Sequence, residues 1–452
     1  MMAKIVERRG THFTVQVTIA YQSSMLDFEE SIQEGVNQVG LVATEEALSQ
    51  FDTDGSAIVV GTSKLTSKGK ESKRYQTPYG AVSIERHVYQ STKGGKTYSP
   101  LDHRARIIIS STPKFAKMVS SKYAELGSSR VQADLNQNHG RTVARCYIQD
   151  ISEAVSAVVL AKEEAWEYAL PEMPVESVSI GMDGTCMLLC NDSYREAIVG
   201  TISLYNKKRD RVHTIYMGAP PEYGKEIFLQ RMEREIAHVK SLYPNARYVG
   251  VADGAEVNWT FLKPHISREI LDFYHASGYI KDAANAAHPR SEKQSHLWFI
   301  EQRHELKHTR GAAKNILEKM KEFTLKKLNK TKLKKLNAAI TYFTNHAHQM
   351  NYVQYLKDKL PIGSGVTEAA CKTLIKQRLC CSGMKWTARG SGVVLSLRAL
   401  VLTKGRWEQF WNKLDRHGIP AVAYILSTSS YNHTLIRPLL KMARLDVHPV
   451  KI

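Results

Sequence analysis

Two short apolar runs, each closed by Asp-Gly, constrain this chain more than any other feature. The first reads SVSIGMDGT and ends on Asp183; the second reads YVGVADGA and ends on Asp253. Around them lie strand-like runs at 175–182, 187–190 and 197–204, a helical stretch at 226–242, and a further strand at 247–252. Strands followed by a helix and another strand predict an α/β core. A carboxylate that ends a strand, followed at once by Gly, is left at the rim of the sheet, where α/β sites collect. Either Asp-Gly alone is an ordinary turn signal, since both residues favour turns.

A third acid, Glu368, lies in PIGSGVTEAACKTLIKQR. Pro361, Gly363 and Gly365 break what precedes it, so Glu368 falls in or near the first turn of a new helix, capped by Ser364 or Thr367. Three carboxylates from two strand ends and a helix can hold two Mg²⁺ or Mn²⁺ ions. Two such ions ~4 Å apart can activate an attacking water or 3′-hydroxyl and steady the leaving oxygen of a phosphodiester. An all-oxygen donor set favours a hard ion over zinc. The MDGT segment also resembles the nucleophile loop of haloacid-dehalogenase-like phosphatases, but those need an Asp where Gly181 stands.

The charge balance names the partner class. Lys and Arg number 63 against 44 Asp and Glu, leaving +19. Such an excess calls for a polyanion, nucleic acid or an acidic membrane surface. No apolar run reaches the ~18 residues of a membrane span, and the N-terminus has no signal-peptide core. The expectation is a cytoplasmic protein, with no membrane partner, that meets double-stranded DNA at the nucleoid. Residues 303–336 concentrate the charge, with twelve Lys or Arg against three Glu on a helical pattern. Lys326, Lys327, Lys330, Lys334 and Lys335 are its candidates for phosphate contact, a solvated face being the alternative. Six scattered cysteines, with no CxxC, read as reduced thiols buried like small apolar residues.

Upstream, residues 3–20 alternate like a strand, with a helix through 28–48. A Ser/Lys/Gly-rich stretch at 62–74 reads as an exposed linker, and runs at 82–89 and 97–101 flank a Lys93-Gly94-Gly95-Lys96 hairpin turn. Within the helical region 113–161, residues 129–136, a turn at 138–140 and a second helix from Arg141 suggest a helix-turn-helix. Arg141, Thr142 and Arg145 would then face DNA. A plain helical hairpin fits the same residues.

The segments TPYGAVSIERHVYQ…SPLD, GMDGT, VADGA, LDFYHA and GSGVTEAACKTLIKQRLCCSGMKW together resemble the DDE transposases. More narrowly, they resemble the ISKra group of bacterial insertion sequences and its Mutator-like relatives, from about residue 75 onward. The resemblance implies an α/β RNase H-like catalytic core interrupted by an all-α insertion, behind an N-terminal α+β DNA-binding region containing the helix-turn-helix. The implied segments are 1–75 (α+β segment and basic linker), 76–170 (hairpin and helix-turn-helix), 171–288 and 362–402 (core), 289–361 (basic helical insertion) and 403–452 (helical tail). It makes Asp183, Asp253 and Glu368 the catalytic, metal-holding triad. Asp272 and His275 match a Cys-or-Asp, two residues, His motif between the second and third acids. Lys372, Lys376, Arg378 and Lys385 would grip phosphates beside the cut, a solvated helix face being the alternative. Many relatives carry two cysteines in the 89–98 hairpin; this chain has none there, so no zinc is expected.

The implied function is Mg²⁺-dependent cleavage at terminal inverted repeats and strand transfer into target DNA, by at least a dimer. An inactive DNA-binding regulator and a stand-alone RNase H-like nuclease are the alternatives.

Overall fold

The structure, a computed structural model, describes residues 3–162, 166–221, 225–325 and 328–419. The chain is mixed α/β and divides into two units. One holds the described residues up to Tyr168, with Ser396–Val401 and those from Gly405 onward; the other holds Ala169–Leu395 with Leu402–Lys404.

In the first unit the alternation at 3–20 is a hairpin rather than one strand: β1 (Lys4–Arg9) against β2 (His12–Gln16). A helix, Met25–Ser49, follows, its Ser24 cap accepting the Asp27 N–H. Next comes a four-stranded antiparallel sheet, β3 (Ile58–Val60), β4 (Ser63–Gln76), β5 (Ala81–Ser91) and β6 (Gly94–Tyr98), in that order. The expected linker at 62–74 is therefore a strand. Only Leu65 and Tyr75 of β4 are buried, so no apolar alternation marks it, and the ladder to β5 holds it. Leu101, expected in a strand, sits instead in a short helix, Pro100–Arg104, where Pro100 suits the first position and Ser99 caps.

Three consecutive helices follow, Pro113–Glu125, Ser128–His139 and Arg145–Lys162, and a further helix, Arg406–His417, belongs to the same unit. The third begins at Arg145, not at Arg141. Arg141 lies in the preceding turn with its guanidinium turned inward. It donates to the Thr77 carbonyl at 3.1 Å and to the Gln76 side chain, over the Phe115 ring. That corrects the expectation that it faces DNA, since its charge is spent tying the turn to the β4–β5 connection.

The second unit is built on a five-stranded sheet. Its strands are β7 (Ser177–Leu189), β8 (Ser193–Tyr205), β9 (Arg211–Ala219), β10 (Arg247–Ala252) and β11 (Arg268–Leu271). The order is β11-β10-β7-β8-β9, with β7, β8 and β9 antiparallel and β10 and β11 parallel to β7. The runs at 175–182 and 187–190 are one strand, so Asp183 does not end β7. The ladder to β8 carries Asp183, Gly184 and Thr185 opposite Val199, Ile198 and Ala197. On its other side the registered pairs with β10 stop at Gly250 opposite Ile180. Asp183 is thus where β7 loses one neighbour and keeps the other.

Helices cover both faces of the sheet. Glu226–Leu242 buries Phe228, Met232, Ile236 and Val239, with Met232 and Phe228 over Gly200. On the opposite face Gly365–Ala370 runs into a wider π turn, Cys371–Lys376. That helix can approach because position 181 is Gly: a Cβ there would lie 2.2 Å from Thr367 Oγ1. Thr367 is itself buried and bonded to Thr201 at 2.7 Å. Gly181→Ala should therefore destabilise this unit by about 1–3 kcal/mol through overpacking, read as a lower melting temperature. An unchanged melting temperature would mean the helix is not seated on β7.

Between β11 and residue 361 the chain is helical: Phe273–Ala287, Glu292–His308, Ala312–Glu322, Lys330–His346 and Tyr352–Lys357. Ile280, Ile316, Met320, Leu336, Ala339 and Phe343 join the sheet's core cluster. No helix of the described residues is long and apolar enough to cross a membrane.

Candidate metal centre

Register places three aspartates side by side at one rim. Gly250 of β10 stands opposite Ile180 of β7, so Asp253 and Asp183 each lie three residues past that pair. Ala252 of β10 stands opposite Leu271 of β11, so Asp253 and Asp272 each lie one residue past. Parallel strands advance together at about 3.3 Å per residue, which brings all three acids level at the C-terminal edge of β10 and β11, with Asp183 still inside β7, which runs on to Leu189. This is the edge where α/β folds build sites.

Asp183 is half-buried. Its Oδ1 accepts the Gly184 N–H at 2.7 Å and its Oδ2 faces the Cys371 Sγ at 3.5 Å. Burial pushes its carboxyl above the usual value, and the neighbouring Asp253 and Glu368 charges add to the rise against the Gly184 and Cys371 hydrogen bonds. Asp253 begins the turn after β10. Its Oδ1 accepts the Ala255 N–H at 3.2 Å, and Gly254 takes a φ of +106°, which suits Gly alone among common residues. Glu368 stands exposed in the first turn of its helix, and Ser364 Oγ donates to its Oε1 at 2.9 Å.

Residues 270–274 read as a strand in the sequence, which would put Asp272 within it and His275 just past its end. β11 stops at Leu271, and a helix starts at Phe273 with Asp272 as its cap. Asp272 is wholly buried, and one oxygen accepts both the His275 N–H at 2.6 Å and His275 Nδ1 at 3.2 Å. The other accepts the Ser364 N–H. Burial alone would raise this carboxyl, but the bonds from His275 and Ser364 outweigh it and hold it below its usual range. Asp272 therefore joins two segments, the His275 turn and the approach to Glu368. Its bond raises the His275 pKa against the opposing effect of burial, with the Asp272, Glu368 and Asp253 charges adding to the rise. His275 Nδ1 is also 3.6 Å from Glu368 Oε1. Asp272, His275 and Glu368 each bring a ligand atom within 4.8 Å of the others and could hold a metal ion.

The remaining expected residues divide. Thr142 and Arg145 are exposed at the start of Arg145–Lys162, bonded to Asn136 and Ser129. An open cavity of about 520 Å³ beside them is lined by Ser128, Arg145, Cys146 and Gln149. Lys330 and Lys334 are exposed, as is Lys335, which pairs with Asp282 at 3.0 Å. Lys326 and Lys327 lie outside the described residues. Lys372, Lys376 and Lys385 are exposed. Arg378 is a correction: it is buried over the Trp386 ring and cannot grip a phosphate there. The thiols are another, because Cys371 is buried while the other five are exposed.

Two residues at the rim escaped the sequence reading. Cys371 could have been found, since three positions past Glu368 puts it on the same helix face. Tyr342, whose hydroxyl donates to the Asp253 carbonyl at 2.7 Å from 89 positions away, leaves no local signal. Comparison with protein-family models and with curated proteins yields no match to this chain.

Proposed function

We propose that the chain is a DDE transposase of the insertion-sequence kind, cutting DNA ends and joining their 3′-hydroxyls to target DNA. The sheet order β11-β10-β7-β8-β9, with its three antiparallel and two parallel strands, supports an RNase H-like core. The observation that carries the reading is the level register of Asp183 and Asp253 on neighbouring parallel strands, where burial makes the charged form of Asp183 costly and the Asp253 and Glu368 charges add to that cost. Converging carboxylates of this kind are relieved by a divalent cation, and their oxygens fit Mg²⁺ or Mn²⁺. When bound, such ions polarise the scissile phosphate and the attacking oxygen.

The protein's own groups do the rest. Asp183, Asp253 and Glu368 would hold the ions, with Ser364 orienting Glu368. His275, steered through Nδ1 by Asp272, keeps Nε2 for a phosphate oxygen beside the cut. Lys372 and Lys376 supply exposed charge on the helical run that follows Glu368, and Lys385 is exposed further along the chain. The two-helix segment Ser128–Lys162 is the proposed helix-turn-helix, with Thr142 and Arg145 at its DNA face. The test is incubation with DNA carrying the sequences that flank the gene. Cleavage leaving 3′-hydroxyls, dependent on Mg²⁺ and abolished by EDTA, is expected. DNA binding without cleavage in any divalent ion would favour a regulator instead.

The basic helix gives a separate expectation. Converting Lys330, Lys334 and Lys335 to Gln should weaken binding to all DNA alike. It should also flatten the salt dependence, by ~0.9 in log–log slope for each phosphate that is no longer neutralised. An unchanged slope would leave this face solvated and nothing more.

A further inference from the structure

Three tyrosines of the helical insertion donate their hydroxyls to backbone carbonyls at the ends of the parallel strands. Tyr342 reaches Asp253 at 2.7 Å, Tyr352 reaches Leu271 at 3.0 Å and Tyr355 reaches Glu269 at 3.2 Å. Tyr342 differs from the other two in what it grips, because the Asp253 carbonyl opens the Gly254 turn itself. A Cβ at Gly254 would lie 3.2 Å from both Tyr342 Cε2 and His346 Nε2, so this helix also walls the turn. The Tyr342 ring is fixed in turn. It stacks on Tyr279 with centroids 3.9 Å apart, and Tyr279 lies one turn past His275 on the helix that Asp272 caps.

We propose that Tyr342 is a positioning residue for Asp253, by which the insertion sets the angle of that carboxylate towards Asp183 and Glu368. The inference rests on the reading of those three acids as a cation site. A turn built on a Gly at positive φ has few steric constraints of its own. Among the described residues Asp253 Oδ1 bonds within the turn alone, to the Ala255 N–H, so it follows wherever the turn goes. Fixing the carbonyl from outside removes that freedom, and supports of this kind typically change metal affinity by 10–100-fold. The insertion would then be part of the site's frame as well as a basic surface.

The test is titration of Mn²⁺ into the full chain, followed by calorimetry, with melting temperature measured on the same preparations. Tyr342→Phe keeps the ring and its stack and removes only the hydroxyl. It should weaken Mn²⁺ binding by about tenfold, with a fall in melting temperature no larger than that of Tyr355→Phe, since each loses one hydrogen bond of about 0.5–1.5 kcal/mol. Tyr355→Phe removes a like bond from the neighbouring strand and should leave Mn²⁺ affinity at the wild-type value. Asp253→Asn is the reference for loss of the site. Wild-type affinity in Tyr342→Phe, with loss in Asp253→Asn, would overturn the role of Tyr342 and leave the cation site standing. Equal weakening in Tyr342→Phe and Tyr355→Phe would make the effect one of general packing and overturn it too. A wild-type chain that binds no Mn²⁺ would overturn the cation site and, with it, this inference.

Discussion

Asp183→Asn, Asp253→Asn and Glu368→Gln should each cut strand cleavage by on the order of 10²–10⁴-fold while leaving DNA binding intact. Each change keeps side-chain shape and removes one ligand charge, and charge stabilisation by bound ions contributes several kcal/mol at about 1.4 kcal/mol per tenfold. Stability should move the other way for Asp183. Its charged form is disfavoured by burial and by Asp253 and Glu368, so in EDTA the Asn variant should melt no lower than the wild type. An inactive variant with an undiminished melting temperature separates chemistry from folding. Near-normal cleavage by any one of the three variants would remove that residue from the site.

His275→Ala should slow cleavage by ~10²–10⁴, the range of a positioned proton-transferring or charge-stabilising side chain. His275 keeps nearly half of its side chain exposed while its Nδ1 is occupied by Asp272, so the free edge is open to a phosphate. Mg²⁺ dependence should survive, because nitrogen is not a preferred donor for that ion. A structural histidine would behave differently. Losing its bond to Asp272 would lower the melting temperature, a net effect of about 0.5–1.5 kcal/mol per hydrogen bond, and the rate per folded molecule would stay normal. Measuring both quantities on one preparation decides between the two roles.

The runs in β7, β8 and β10 were legible because burial on both faces makes them continuous apolar stretches, which even a single sequence displays, whereas β9 (Arg211–Ala219) was not legible as a strand. Where Asp183 sits within its strand was not, because Asp-Gly reads as a turn and only the ladder to β8 shows that the chain runs on to Leu189. β4 was illegible for the opposite reason. Most of its Lys, Ser and Glu side chains face solvent, and pairing with β5 is a long-range event that no local pattern records. Asp183, Asp253 and Glu368 could be named from the sequence, but their nearness depends on register between strands 70 positions apart. Arg141 and Arg378 show the limit of reading charge as surface. Both guanidiniums lie over aromatic rings, and Arg141 also serves backbone and side-chain acceptors. Charged side chains are rarely found there unless they are paired.

Sulfur substitution at the scissile phosphate tests the central claim most directly. If ions held by Asp183, Asp253 and Glu368 contact the non-bridging oxygens, replacing one with sulfur should suppress cleavage in Mg²⁺, which demands oxygen donors. Replacing Mg²⁺ with the softer Mn²⁺ should restore it. Suppression in Mg²⁺ with recovery in Mn²⁺ is the predicted result. Cleavage of the sulfur-substituted and natural DNA at equal rates in both ions would contradict a metal-bound phosphate at this rim.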